Sequence, residues 1–568
     1  MGDIWGEIDF EIVDGWQAPA GFLAFANFPG LFVAADVQLH NRSELNRWLS
    51  AKDSSDIELL LLAYEKWDEA CTRALEGEFA FCIWDARRKR LYCARDHLGV
   101  RRLYYCQHGN RFHFASSPLT LLKNSGLLRR LNRPKLSAMA VPGGHHEFPE
   151  ETFYQNILSL PGGNALTVIK SNARKWTYWR PEVDTTLIPR DDEQAFEVLR
   201  ALVSNAVENR LEGSLRPVSL LSGGLDSSAV TAVAANILLR KNRELIAVGA
   251  ILPENHKGDL EDERNWIERF RPVPNLRIEF TTAEGKGPFD LIDDPSNFEA
   301  SFQRGPMAFL NDALEDAALY YQGDLLINGI GGEYGITTRA EGYILELLAH
   351  LRVSTAIRTL REMKKSIGIS PVRFLASELR QALLPNLRRL PMIYFAPGFK
   401  QECGTRLKAA RYWPDHRKGQ IQRLDFALRM HANVNALRMD QPIRWSMPLY
   451  DRRLLEYCIA SPGHMKIRNG FSRYLVRKSM SGLIPESIRL RPRKIRPSPD
   501  YQQRYKVQVG KARDFVRAIG AKDPVRDVVD VDKLTNKLDV SNEWDITMCV
   551  PTTIYLICFL RQFDEFKR

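Results

Sequence analysis

The sequence predicts two domains, a β-rich N-terminal part and an α/β C-terminal part built on a parallel sheet, and three observations carry that reading. The 568 residues exceed what one hydrophobic core usually organises. Short aromatic and branched runs separated by turn residues fill the first part, as strands require. Beyond a polar linker, apolar strand candidates alternate with segments of helical periodicity, the pattern of a parallel sheet covered on both faces.

In chain order, the first part offers strands at Phe79–Trp84, Arg90–Ala94, Leu103–Cys106 and Phe112–Ala115. The polar stretch Asp184–Asp192 follows Trp179-Arg180-Pro181 and sets the boundary, giving domains 1–185 and 186–568. Phe196, Leu199, Leu202, Val203 and Val207 then recur at three and four residues, which predicts an amphipathic helix. Pro217–Leu221, Ile246–Ile251 and Leu325–Ile327 are the strand candidates of the second part. Arg352–Arg389 is basic and helix-prone and reads as an insertion without a legible task. Ile546–Leu560 is mostly apolar, but Pro551 interrupts it and it falls short of the roughly 20 residues that span a bilayer, so it is expected in the core.

Composition excludes several classes. With 44% hydrophobic and 26% charged residues the chain is that of an ordinary globular protein. Asp3, Glu7, Asp9 and Glu11 put acid where a secretory signal needs base, so a cytoplasmic protein with no membrane span is expected. The eight cysteines, among them Cys71, Cys82, Cys93 and Cys106, form no CxxC pair and no zinc spacing, which predicts free, mostly buried thiols. The adjacent His145 and His146 lack further spaced ligands, and no zinc is expected. A net charge of +11, concentrated partly in Ser487–Arg496, favours anionic partners.

The chemistry is carried by Ser222-Gly-Gly-Leu-Asp-Ser-Ser228, set between the strand Pro217–Leu221 and the helix-forming run Ala229–Ala235. Gly223 and Gly224 allow positive φ and close approach, Ser227 and Ser228 offer hydroxyls, and the helix start supplies N–H groups for phosphates. The Gly-Lys-Ser/Thr ending of a Walker loop is missing, so bound ATP is expected to split between its α- and β-phosphates. Asp226 can then hold Mg²⁺ on the departing pyrophosphate.

These residues resemble the SGGxDS loop of the ATP-pyrophosphatase superfamily. Leu75–Asp85, Ala94–Arg101, Leu103–Tyr105, Phe114–Ser117, Leu160–Gly163 and Tyr178-Trp179 resemble the amidotransferase half of asparagine synthetases, and Met447–Asp451 and Ser472–Arg477 resemble their synthetase half. The resemblance implies an α+β N-terminal amidotransferase-like β-sandwich domain and an α/β parallel-sheet ATP-pyrophosphatase domain. It implies an ATP-dependent amide-forming ligase using ATP and Mg²⁺. By the same resemblance Ser222, Gly223, Gly224, Asp226, Ser227, Ser228 and Gly329 bind ATP, Asp226 and Glu333 bind the metal, and Lys494 is the catalytic cation that steadies phosphate and oxyanion charge. Glu333 stands where the family usually has aspartate, and Tyr334 where it usually has glutamate. Octahedral Mg²⁺ would accept the longer Glu333 only if its loop withdraws, and a plain loop carboxylate is the alternative. Arg473 and Arg477 could assist the phosphates or serve as salt-bridge residues. Asp259–Arg264 could meet the substrate or simply open a helix.

Family glutaminases begin Met-Cys-Gly-Ile and use that cysteine as nucleophile, whereas this sequence begins Met1-Gly-Asp-Ile4. Glutamine hydrolysis is therefore not expected, and the amine should arrive with the substrate. Gly329–Glu333, Gly470–Arg477 and Gly482–Pro485 look most like lasso peptide cyclases, and Ile330 replaces a tyrosine found in β-lactam-forming enzymes. That likeness implies adenylation of an Asp or Glu side chain of a precursor peptide and its closure onto the peptide's N-terminal amine, in lasso peptide biosynthesis. A leader peptidase and a leader-recognition protein are implied as partners, and no nucleic acid. Proximity is the main catalytic demand, and no residue identifies itself as general base. A glutamine-independent asparagine synthetase-like or β-lactam-forming synthetase acting on a small amino acid, a tRNA-modifying adenylase and a non-catalytic scaffold stay open.

Overall fold

The computed structural model describes residues 4–10, 18–140, 148–170, 172–254, 256, 259–368, 370–383, 393–402, 415–431, 443–492, 495–539 and 542–567. Ten strands form its N-terminal part. They are β1 (Trp5–Asp9), β2 (Leu23–Ala24), β3 (Leu31–Leu39), β4 (Gly77–Asp85), β5 (Arg90–Arg95), β6 (Tyr104–His108), β7 (Arg111–Ala115), β8 (Leu158–Ser159), β9 (Asn164–Ile169) and β10 (Asn172–Thr177). One sheet runs β1-β7-β6-β8 and the other β10-β9-β5-β4-β3-β2.

Strand β4 shows why the two sheets stack. Its apolar residues do not alternate with polar ones, because both of its faces are covered. Ala80, Cys82 and Trp84 join Ile8, Phe112 and Phe114 of the other sheet in one core. Phe79, Phe81 and Ile83 pack instead with Leu59, Leu60 and Tyr64 of the helix Asp56–Trp67. That helix is fixed at its start by a reciprocal pair, in which Ser55 accepts from the Glu58 N–H and Glu58 accepts from the Ser55 N–H, satisfying two donors the helix cannot.

The C-terminal sheet contains β11 (Pro217–Leu220), β12 (Leu245–Ala250), β13 (Leu276–Thr281), β14 (Leu325–Ile327) and β15 (Arg444–Ser446). All neighbours are parallel, in the order β13-β12-β11-β14-β15. The chain leaves β11 towards β12 and β13 on one side and later returns to β14 and β15 on the other. The crevice beyond the end of β11 is thus the topological switch point, where open parallel sheets take their ligands. The helix Leu225–Arg240, which starts there, is buried along nearly its whole length and is apolar on more than one side, as an interior helix must be.

The strand candidates of the first part appear as β4 to β7, and those of the second as β11, β12 and β14. The helix Asp192–Leu211 covers the predicted periodic segment. The apolar C-terminal segment forms the buried helix Val550–Leu560, whose Phe559 packs on Phe153 and Tyr154 of the N-terminal part. The basic insertion contains the helices Val353–Ile367 and Pro371–Leu383. Among the described residues, no helix is long and apolar enough to cross a membrane.

The two parts meet through a buried ionic cluster. Arg210, 2% exposed, places Nε 3.2 Å from Glu78 of β4 and Nη1 3.4 Å from Asp451, and donates to the Tyr450 carbonyl at 3.0 Å. Arg101 reaches the second oxygen of Glu78 and also Asp36, both at 3.4 Å. Arg444 donates across the border to Gln38 at 2.9 Å, and the Trp179 indole donates to Glu456 at 2.7 Å.

Candidate active site

The loop after β11 closes upon itself. The Ser222 and Ser227 hydroxyls lie 3.0 Å apart, the Ser222 N–H donates to Ser227 Oγ at 3.2 Å, and Ser227 Oγ donates to the Gly224 carbonyl at 3.3 Å. Gly223 has φ +61°, and a Cβ there would stand 2.6 Å from Trp266 and 2.9 Å from Glu263. Both reasons, backbone and space, restrict that position to glycine. Gly224 forms the N-cap of the helix that carries Asp226, Ser227 and Ser228. The Ser228 hydroxyl is buried and has no hydrogen-bond partner among the described residues.

A second loop, Asn328–Glu333, leaves β14 and passes directly against the first. A Cβ on Gly329 would lie 2.5 Å from the Ser227 nitrogen, and one on Gly332 1.8 Å from Asp226 Oδ1. The glycines let two backbones and one carboxylate share the crevice. Thr337 fixes that carboxylate by donating to Asp226 Oδ1 at 2.7 Å. Glu333 follows Gly332 at once and is exposed, while Ile330, 40% exposed, sits in the same loop.

Arg473 feels the charge of both Asp226 and Glu333. It adopts φ +59° at the N-cap of the helix Tyr474–Ser479. Burial lowers its pKa and Arg339 adds to the shift, while Asp226, Glu341 and Glu333 pull the other way. Its Nε is buried and has no hydrogen-bond partner among the described residues. Asp226, Glu333, the Ser228 hydroxyl and this guanidinium make a donor set suited to a magnesium-bound triphosphate, with two carboxylates for the metal and donors for the phosphates. Arg477 has a different task. Its Nε and Nη2 donate to the carbonyls of Ser472 and Arg491 at 3.0 and 2.9 Å, and Nη1 to that of Arg489, so it ties two segments together. Lys494, His145, His146 and Gly2 lie outside the described residues.

Two supports were not legible in the sequence. Arg491 lies over the Trp266 ring, 4.2 Å from its centroid. It donates to the Gly223 carbonyl at 3.0 Å and pairs with buried Glu263 at 2.9 Å. The acidic run Asp259–Arg264 therefore braces the phosphate loop through Glu263. The second loop has a support of its own, in which Lys466 Nζ donates to Gln420 Oε1 and Gln420 Nε2 to the Tyr334 carbonyl, each at 2.7 Å.

Burial, reinforced by Arg417 and Arg423 and opposed by Cys458 and Glu341, pushes the Lys466 pKa from 10.5 down to about 7. Between pH 7 and about 10 the unfolded chain therefore binds one more proton than the folded one, and stability rises with pH across that window. Below pH 7 both states carry the proton and the penalty is complete. Lys466→Met is expected to flatten this rise, read as the difference in Tm between pH 7 and pH 9.5. An unchanged difference would remove Lys466 as its source.

Comparison with known proteins finds matches to both parts of the chain. The family model described as glutamine amidotransferase domain matches residues 32–179, and the one described as asparagine synthase matches 198–279 and 345–552. Asparagine synthetase [glutamine-hydrolyzing] 3 of Bacillus subtilis (strain 168) is 25% identical over 488 residues, which is 82% of this chain and 75% of that one. A putative asparagine synthetase [glutamine-hydrolyzing] 2 of Methanocaldococcus jannaschii is 29% identical over 208 residues, 36% of this chain and 40% of its own. Among solved structures, glutamine phosphoribosylpyrophosphate amidotransferase from B. subtilis matches at a TM-score of 0.20 with 12% identity, over 46% of this chain and 63% of that one, a likeness too loose to argue from.

Proposed function

Because this chain belongs to the asparagine synthase family and is an ATP-dependent amide-forming ligase, we propose that it closes a peptide ring, joining an Asp or Glu side chain of a ribosomal precursor to that peptide's own N-terminal amine, as in lasso peptide biosynthesis. The observation that carries this reading is the glycine loop Ser222–Ser228 at the switch point, beside an amidotransferase-like half whose described cysteines are all buried. Among the described residues, seven cysteines are free and all are buried. Burial pushes the Cys71 and Cys458 thiols up to about 12 and Cys106 to about 11. Such thiols are poor nucleophiles, which favours an amine that arrives with the substrate.

In the reaction the substrate carboxylate attacks the α-phosphorus of ATP and expels pyrophosphate. The peptide amine then attacks the acyl carbon, loses a proton and expels AMP. Ser222, Gly223, Gly224, Ser227, Ser228 and Gly329 would frame the triphosphate, Asp226 and Glu333 would hold magnesium, and Arg473 with Lys494 would offset the developing negative charge. Ile330 cannot take the amine's proton. The enzyme's share is then chiefly orientation of two ends of one molecule, which can supply roughly 7 kcal/mol or more of the barrier.

The names of the relatives favour a second reading, a synthetase acting on a small amino acid. ATP–pyrophosphate exchange separates the two. With a trimmed precursor peptide, exchange and a product lighter by one water are expected; exchange supported by free aspartate alone, with no cyclic product, would overturn the peptide reading.

A further inference from the structure

We infer that the helical pair Val353–Ile367 and Pro371–Leu383 is a docking surface for an acidic, partly apolar peptide segment, which on the reading proposed above belongs to the peptide substrate. The pair is firmly seated on one side only. Ala356 and Met363 are buried against Tyr343, Ile344 and Leu347 of the helix Tyr343–Ala349, and Glu378 accepts from the Gly342 N–H at 2.9 Å. The opposite side carries Arg358, Arg361, Lys365, Arg373 and Arg380, with Arg352 and Lys364 at its margins, all exposed. None of these seven forms an ion pair among the described residues. Elsewhere the exposed arginines Arg174, Arg271 and Arg277 each have a carboxylate partner.

Apolar side chains stand among these cations. Leu351 is 86% exposed, Val372 77% and Ile357 43%. Residues four apart share one side of a helix, so Val353, Ile357, Arg361 and Lys365 form a row that passes from apolar to cationic. A helix that lies in a bilayer needs a continuous apolar face, which this row lacks. A peptide bearing both acidic and apolar side chains matches it by charge complementarity and by size.

The surface also adjoins the site. A Cβ on Gly470 would stand 2.2 Å from Ser366 Oγ and 2.4 Å from the Glu362 carbonyl, so the helix Val353–Ile367 rests on the turn that leads into Arg473. The helix beneath it, Tyr343–Ala349, continues the segment that carries Thr337, the partner of Asp226. A segment held on the helical pair would enter the crevice from this side.

The test uses fluorescence anisotropy of a fluorescein-labelled 15-residue synthetic peptide of alternating Glu and Leu pairs, added to the full chain without ATP. Wild type should bind it, and 300 mM salt should weaken binding. Arg358→Glu/Arg361→Glu/Lys365→Glu should weaken it at least tenfold, the corresponding glutamine substitutions less but in the same direction. Lys52→Glu/Lys89→Glu/Lys522→Glu, which makes the same charge change at exposed sites elsewhere, should leave it unaltered. Equal binding by all these proteins would overturn the proposal, as would binding to vesicles with 30% anionic lipid and not to the peptide. The two readings fail separately. Peptide-dependent exchange with a KM unmoved by the triple glutamate variant would remove the docking surface but leave the cyclase, whereas surface-dependent binding with exchange supported only by free aspartate would remove the cyclase and leave the surface.

Discussion

Asp226→Asn will lower ATP–pyrophosphate exchange about a thousand-fold while changing Tm by less than about 2 °C. Asparagine keeps the shape of the side chain and an oxygen that can accept from Thr337, now 2.7 Å away. It also keeps the contact with Gly332, where there is no room for another atom. What it loses is the negative charge. A metal held by this carboxylate would offer several kcal/mol of charge stabilisation, and the loss of about 4 kcal/mol corresponds to the thousand-fold factor. The effect should fall on kcat more than on KM, because the charge acts most strongly as pyrophosphate leaves. Exchange above a tenth of the wild-type rate would exclude Asp226 from the phosphate machinery.

Arg491→Met will cost roughly 3–5 kcal/mol of stability, because it removes the guanidinium that neutralises Glu263 in a buried site. The pair is 2.9 Å long with both side chains about 95% covered, so water cannot replace the lost partner. A double variant, Arg491→Met/Glu263→Leu, removes both charges and should recover most of the Tm. It should not recover exchange, since the Gly223 carbonyl has lost its donor and the phosphate loop its brace. Recovery of both would make the pair a matter of stability alone, and an undisturbed Tm in the single variant would mean that Glu263 finds another partner.

Legibility in the sequence followed the range of the physical signal. The phosphate loop was readable because strand, glycine turn and helix start lie within about a dozen residues, and the buried helix Val550–Leu560 because its composition needs no partner to interpret. Strand β10 is almost entirely exposed and β15 has three residues, so neither shows a periodicity long enough to detect. Glu263 and Arg491 are separated by 228 positions. Before folding, one belongs to an acidic run and the other to a basic run, and nothing local says that they meet. The left-handed backbone of Arg473 is likewise a product of tertiary packing, since no glycine or asparagine announces it. Only the folded chain shows that the glycines at 329 and 332 make room for Ser227 and Asp226.

The cluster around Arg210 bears on how such a protein can change over evolutionary time. Deleting the N-terminal half would strand Arg210 without Glu78 and open to water the surface where Arg444 and Glu456 find Gln38 and Trp179. The synthetase half therefore constrains the sequence of its neighbour whether or not that neighbour catalyses anything. Substitutions at Glu78 or Trp179 would act on the folding of the other half, through Arg210 and Glu456.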